Sequence, residues 1–160
     1  MNPEIENLIN KLEIEEFGKE QLKISWLHQL ERCTKSKKYH SIRYYIYQML
    51  ILISATLIPV VNNLETSLFD TKLTVTILGI VVALSAGLNQ IFQHGEKWSF
   101  YGRNMESLKS EGMQFLGLSG NYNKFKNHVE ALPLFIEFLE NKRKAKIENY
   151  FNFVNTAGEK

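Results

Sequence analysis

Two stretches of the chain carry no Asp, Glu, Lys, Arg or His. One is "YYIYQMLILISATLIPVVNNL", from Tyr44 to Leu64; the other runs from Leu73 to Gln93 and contains "LTVTILGIVVALSAGLNQIF". Each is about 21 residues long, enough at 1.5 Å per residue for a helix of about 31 Å, close to the roughly 30 Å hydrocarbon core of a bilayer. A surface helix of a soluble bundle keeps a wet face, with charges every three or four positions opposite its apolar stripe. Neither stretch has one, and their polar interruptions are uncharged. The pattern predicts transmembrane helices at 44–64 and 73–93 joined by an external loop at 65–72. The competing reading is a soluble bundle in which both helices are buried.

Amphipathic pieces surround this pair. An acidic segment, Ile5 to Phe17, is predicted to stop near Gly18, and a helix then runs from Gln21 into the first span with Trp26, Leu27 and Leu30 at helical spacing. Pro59, inside the first span, removes a backbone bond and is expected to kink or end the helix there. The second span is expected to continue as one helix through Lys109, with Gly112, Gly117 and Gly120 breaking the pattern. A last helix is expected from about Tyr122 to Phe153, bent near Pro133 and carrying "KRKAK" on its polar side. The fold class is therefore all-α: a two-span hairpin whose helices extend into a cytoplasmic bundle, residues 1–43 and 94–160, the whole forming one unit. No repeat, low-complexity tract or linker divides it.

Charge sets the orientation. Arg32, Lys35, Lys37, Lys38 and Arg43 precede the first span and Lys97 and Arg103 follow the second, whereas the loop "ETSLFDTK" is short and slightly acidic. The positive-inside rule puts both termini in the cytoplasm, with Tyr44, Tyr45 and Tyr47 at one interface and Trp98, Phe100 and Tyr101 beyond the other exit. The acidic start, "MNPEIENLINKLEIEEF", has no basic n-region and no apolar h-region, so it does not read as a secretory signal. Anionic lipid headgroups are the plain partner for Lys35 to Lys38.

The second span has two specialised faces. Thr76, Gly79, Ala83, Gly87 and Gln90 share one, and Gly79, Ala83 and Gly87 have the small-xxx-small spacing that lets another helix approach closely. Thr74, Ser85 and Asn89 lie nearly opposite, at 100° per residue. One neighbouring span covers one face only, so the other is left for a second copy of the chain or for water. Against this stand the commonness of small residues in membrane helices and the bonding of Ser and Thr to their own preceding turn. A pore here would be weakly polar, with candidate lining residues Thr74, Leu78, Val81, Ser85 and Asn89 and an apolar constriction around Leu78, Val81 or Val82. Without Asp, Glu, Lys, Arg or His in either span, a proton relay or voltage sensor inside the membrane is excluded.

Catalytic chemistry finds little support. Cys33 is the only cysteine, so no intrachain disulfide or cysteine-based zinc site can form. His28, His40, His94 and His128 are dispersed and read as surface or interfacial polar residues rather than metal ligands. There is no glycine-rich phosphate loop. No catalytic, metal or cofactor residue is assigned, and no direct contact with nucleic acid is expected.

After the second span the chain reads "WSFYGRNMESLKSE". On a helix Trp98, Tyr101, Met105, Leu108 and Phe115 fall near one side, suited to pack on Trp26 and Leu30, while Arg103, Glu106 and Lys109 form a row three apart. That row reads either as a solvated face or as interhelical ion pairs that fix how the cytoplasmic helices meet. The pattern W-x-x-Y-x-R-x-x-E-x-L-K-x-E, filled by Trp98, Tyr101, Arg103, Glu106, Leu108, Lys109 and Glu111, resembles the signature of the SLATT superfamily, the SMODS and SLOG-associating two-transmembrane effector domains. The "ISATLIPVV" and "ALSAGLNQIF" segments and the turn at Gly120 to Tyr122 are similar too, so the likeness runs from Trp26 to Tyr122. It implies a bacterial inner-membrane protein, a pore-forming effector of nucleotide-linked defence coupled through its cytoplasmic motif to a nucleotide-signalling or sensor partner protein, while the opposed faces of the second span favour a homo-oligomer. The alternative is a non-conducting, membrane-anchored scaffold that recruits a soluble partner.

Overall fold

The structure, a computed structural model, describes residues 3–63 and 70–158, with side chains up to 148 except that of 146. All of the regular structure among these residues is helical. The helices are α1 (Pro3–Asn10), α2 (Glu16–Leu22), α3 (His28–Asn63), α4 (Thr71–Phe92), α5 (His94–Leu116) and α6 (His128–Gly158). A π-helical turn, Lys23–Leu27, joins α2 to α3, and a 3-10 turn, Gly120–Tyr122, lies between α5 and α6. Of the loop expected at 65–72, residues 65–69 lie outside the described residues, as does Leu64 at the end of the first span. Asp70 caps α4, its carboxylate accepting from the backbone of Lys72 at 3.0 Å and Leu73 at 3.2 Å.

The chain divides into two compact units, Met1–Cys33 with Asn104–Lys160, and Thr34–Arg103. The first unit is a helical bundle with an ordinary apolar core. Ile9, Leu22, Trp26, Phe115, Phe135 and Leu139 are fully enclosed in it. Phe115 stacks on Phe135 at 4.6 Å, Trp26 meets Phe135 edge-on at 5.5 Å, and the Trp26 indole donates to the Leu108 carbonyl at 2.9 Å. The π-helical turn widens the helix by one residue per turn, which lets the adjacent Trp26 and Leu27 both reach this core. Leu108 thus meets Trp26 as expected, while Phe115 is linked to it through Phe135.

Several glycines serve close approach rather than termination. Gly18 is buried within α2, where a Cβ would come within 2.6 Å of Ile14 Cγ2; the chain break falls earlier, at residues 11–15. Gly112, expected to interrupt the helix, lies inside α5 because the Trp26 indole occupies the space a side chain would need. Only Leu118 and Gly120, with φ of 44° and 57°, mark the real end of α5. Pro59 neither ends α3 nor stops it short of Asn63. Its carbonyl accepts from Asn63 Nδ2 at 2.9 Å. The last helix begins at His128 rather than Tyr122, since residues 120–127 are held in turns, and it contains Pro133 in its second turn.

The second unit contains the greater part of α3, all of α4 and the start of α5. The second apolar stretch does not run on as one helix to Lys109. Gln93 adopts a left-handed conformation (φ 47°, ψ 45°), its N–H bonding Asn89 O at 3.0 Å, and α5 starts afresh at His94. Two helices here are long and apolar enough to cross a membrane, and only 6% of the most apolar window of each is buried.

Candidate functional site in the helical hairpin

Burial is inverted between the two units. Every buried apolar residue of the described core belongs to the first unit, whereas the buried residues of the second are Ser54, Ser85 and His94. Large aliphatic side chains on the same helices point outward, among them Leu52 and Ile53 on α3 and Ile77, Ile80 and Leu84 on α4.

The helices of the second unit run antiparallel, with a register read from contacts at one end. A Cβ at Gly95 would meet Tyr44 Cε2 at 3.0 Å, and one at Gly102 would meet Lys37 Cε at 3.6 Å. Tyr44 and Tyr45 also lie on Trp98, at 6.0 and 5.7 Å between ring centroids. Carried along the helices, this register brings Ser54 of α3 level with Ser85 of α4, and both are buried, at 4% and 5% exposure. Small hydroxyl side chains at a crossing let two backbones approach closely.

This placement sorts the sequence-selected residues of α4. Ser85 lies inside the hairpin, and Thr74, Leu78, Val81 and Asn89, on the same side, are half-buried. The Asn89 side-chain oxygen is buried with no hydrogen-bond partner, as are Gln93 Oε1 and His94 Nε2 one turn further on. On the opposite side the structure leaves room. A Cβ at Gly79 or Gly87 meets nothing within 4 Å, and Thr76, Ala83 and Gln90 are exposed. Thr76 bonds the Lys72 carbonyl at 2.8 Å and Thr74 the Asp70 carbonyl at 3.0 Å, so both hydroxyls are satisfied within their own helix.

The motif residues divide between the units. In the second, Trp98 packs on the two tyrosines and Tyr101 stacks on His40 at 5.6 Å with 4° between the planes. Arg103 is exposed and donates to Ser99 Oγ at 3.0 Å. In the first unit Glu106 and Lys109 are exposed, which fits a solvated face, while Glu111 has a structural task. One of its oxygens accepts from Tyr122 Oη at 3.0 Å and Asn121 Nδ2 at 3.3 Å, tying the 3-10 turn to α5. Burial, and then the Glu111 carboxylate, push the Tyr122 phenol well above its ordinary range, so it stays a donor at every physiological pH. Tyr122→Phe is expected to lower the thermal stability of the bundle by about 1–2 kcal/mol, because it leaves a partly buried carboxylate short of a partner. Glu111→Gln, which keeps an acceptor, should cost less.

Sequence spacing gave no hint of one association. His40 and His94, separated by 54 positions, meet with their Nδ1 atoms 3.0 Å apart. Two of the four histidines are therefore brought together, and no group of three metal-binding side chains occurs among the described residues.

No curated protein and no solved structure matches the chain. One family, described as a protein of unknown function, DUF4231, matches residues 25–130, which include the last three residues of the π-helical turn, both apolar helices, the motif and the turn that Glu111 holds. Because that match spans well over half of its length, the chain belongs to the DUF4231 family.

Proposed function

We propose that this chain is a two-span protein of the bacterial inner membrane, with both termini cytoplasmic, whose copies assemble across the small-residue face of α4 into a pore-forming effector. The observation that carries the membrane reading is the inverted burial of the second unit: polar residues inside, aliphatic residues outside, on helices of bilayer length. A soluble core helix would be mostly buried, and these are not. The cations Lys35, Lys37, Lys38, Arg43, Lys97 and Arg103 gather at one end of the hairpin, as the cytoplasmic end of such a protein requires.

Assembly is supported by the vacant side of α4. The neighbouring helix of the same chain takes the Ser85 side, and the Gly79, Ala83 and Gly87 side has space for a second backbone. The effector role, its activation by a nucleotide-signalling or sensor partner and its place in bacterial defence rest on the resemblance to the SLATT superfamily. Within one closed hairpin Thr74, Leu78, Val81, Ser85 and Asn89 are partly or wholly covered, so conduction along them requires the two helices to part.

That covering also favours a second reading, a membrane-anchored scaffold that conducts nothing and recruits a soluble partner through its helical bundle. Single-channel recording in planar bilayers separates the two. The pore reading expects unitary steps whose size or open probability changes in Ser85→Leu/Asn89→Leu, which wedges the covered face. Silence of both proteins, maintained when cyclic nucleotides and partner proteins are added, assigns the scaffold.

A further inference from the structure

Where α4 gives way to α5, a titratable pair is enclosed in aromatic rings. His94 is 3% exposed. Tyr47 and Phe92 stack on it at 5.8 and 5.6 Å, while Tyr101 stacks on His40 and Tyr39 meets that ring edge-on at 5.2 Å. The left-handed residue Gln93 turns the chain here, so His94 opens α5 and faces α3. Two Nδ1 atoms 3.0 Å apart must share one hydrogen: one ring donates and the other presents its lone pair. Two neutral imidazoles satisfy this, and so does a pair carrying one extra proton. A doubly protonated pair cannot, because both Nδ1 atoms would then carry hydrogen and both rings a positive charge.

We propose that His40 and His94 form a proton-sensitive clasp, which holds α3 against the start of α5 while at least one ring is neutral and releases it when both are protonated. The surroundings make the second proton costly. Burial pushes both histidines below their ordinary value of 6.5, and the charges acting on them, His94 on His40 and then Lys97 from α5 and Arg43 from α3 on both, are cationic and push the same way. The remaining titratable groups against the pair are the phenols of Tyr39, Tyr47 and Tyr101. From α4 comes only Phe92, for the ionisable residues by that helix, Asp70 and Lys72, are at its far end. The sign follows from the lowered values. Between them and about 6.5 the unfolded chain binds more protons than the folded one, so the clasp is fully stable above about pH 6.5 and weakens as acid drives the pair through its own midpoints.

Release of the clasp is independent of conduction and is tested on the full chain in nanodiscs. Histidine side-chain NMR follows the imidazoles of His40 and His94 from pH 8 to 4. Fluorine NMR of 5-fluorotryptophan reports Trp98, which rests on Tyr44 across the same helix pair, with Trp26 as the reference signal. The expected result is two coupled steps for His40 and His94, both below about pH 6.5, with a shift of the Trp98 signal alone at the lower one. In His40→Gln the Trp98 shift should vanish while His94 titrates in a single step. Independent titration of both rings near the ordinary value overturns the proposal, as does a Trp98 shift that survives in His40→Gln. A titration that moves with added Zn²⁺ and reverts with chelator also overturns it, in favour of a metal site.

Discussion

Trp26→Ala is expected to destabilise the helical bundle by about 3–5 kcal/mol, the usual cost of emptying a fully packed aromatic site. The Trp26 ring is completely enclosed, lies edge-on to Phe135 and donates to Leu108 O, so the substitution removes packing and a buried bond together. Gly112→Ala should destabilise as well, by about 1–3 kcal/mol, although alanine ordinarily favours a helix over glycine by up to about 1 kcal/mol. The sign reverses because the new methyl group would fall within the indole. In Trp26→Phe/Gly112→Ala the smaller ring leaves room, so the double variant should lose less than the two single losses added together. Thermal unfolding in detergent, followed by circular dichroism, measures all of these. Additive losses would mean that Trp26 and Gly112 do not share the space.

Gly79→Ile/Gly87→Ile is expected to act on assembly and leave the hairpin intact. A Cβ at either position meets nothing within 4 Å, so helix content and membrane insertion should be unchanged. Between copies, the branched side chains would hold backbones apart and forfeit the close packing on which membrane helices depend. A loss of about 1–2 kcal/mol per contact corresponds to a weakening of roughly tenfold or more in association. Sedimentation equilibrium in matched-density detergent should give an oligomer for the native chain and a smaller species for the variant. Equal masses would place the contact between copies elsewhere.

The contrast between Gly112 and Gly79 shows how far the sequence could be read. The absence of charge made both apolar helices legible, since no soluble surface helix tolerates it over that length. The 100° periodicity made the opposed faces of α4 legible. What it could not say was which face the neighbouring helix takes. That depends on the antiparallel register, fixed by Tyr44 against Gly95 and Lys37 against Gly102. Glycine was misread at Gly18 and Gly112 because sequence gives its flexibility but not its neighbours: Ile14 and Leu132 crowd the missing Cβ's space at Gly18, and the Trp26 indole fills it at Gly112. The break at Gln93 was hidden because a left-handed residue that is not glycine leaves no mark in composition. The His40 and His94 pair was hidden for the same reason as the register: it exists only once the hairpin closes.

Disulfide cross-linking in membrane vesicles tests most directly the claim that copies meet across the small-residue face of α4. On a Cys33→Ser background, single cysteines replace Ala83 on that face and Ile77, about 120° around the helix from its centre. Efficient cross-linking of Ala83→Cys into dimers, with little from Ile77→Cys, is the expected result. Equal reaction at both positions, or reaction at Ile77→Cys alone, would contradict assembly through Gly79, Ala83 and Gly87 and with it the pore built on that contact.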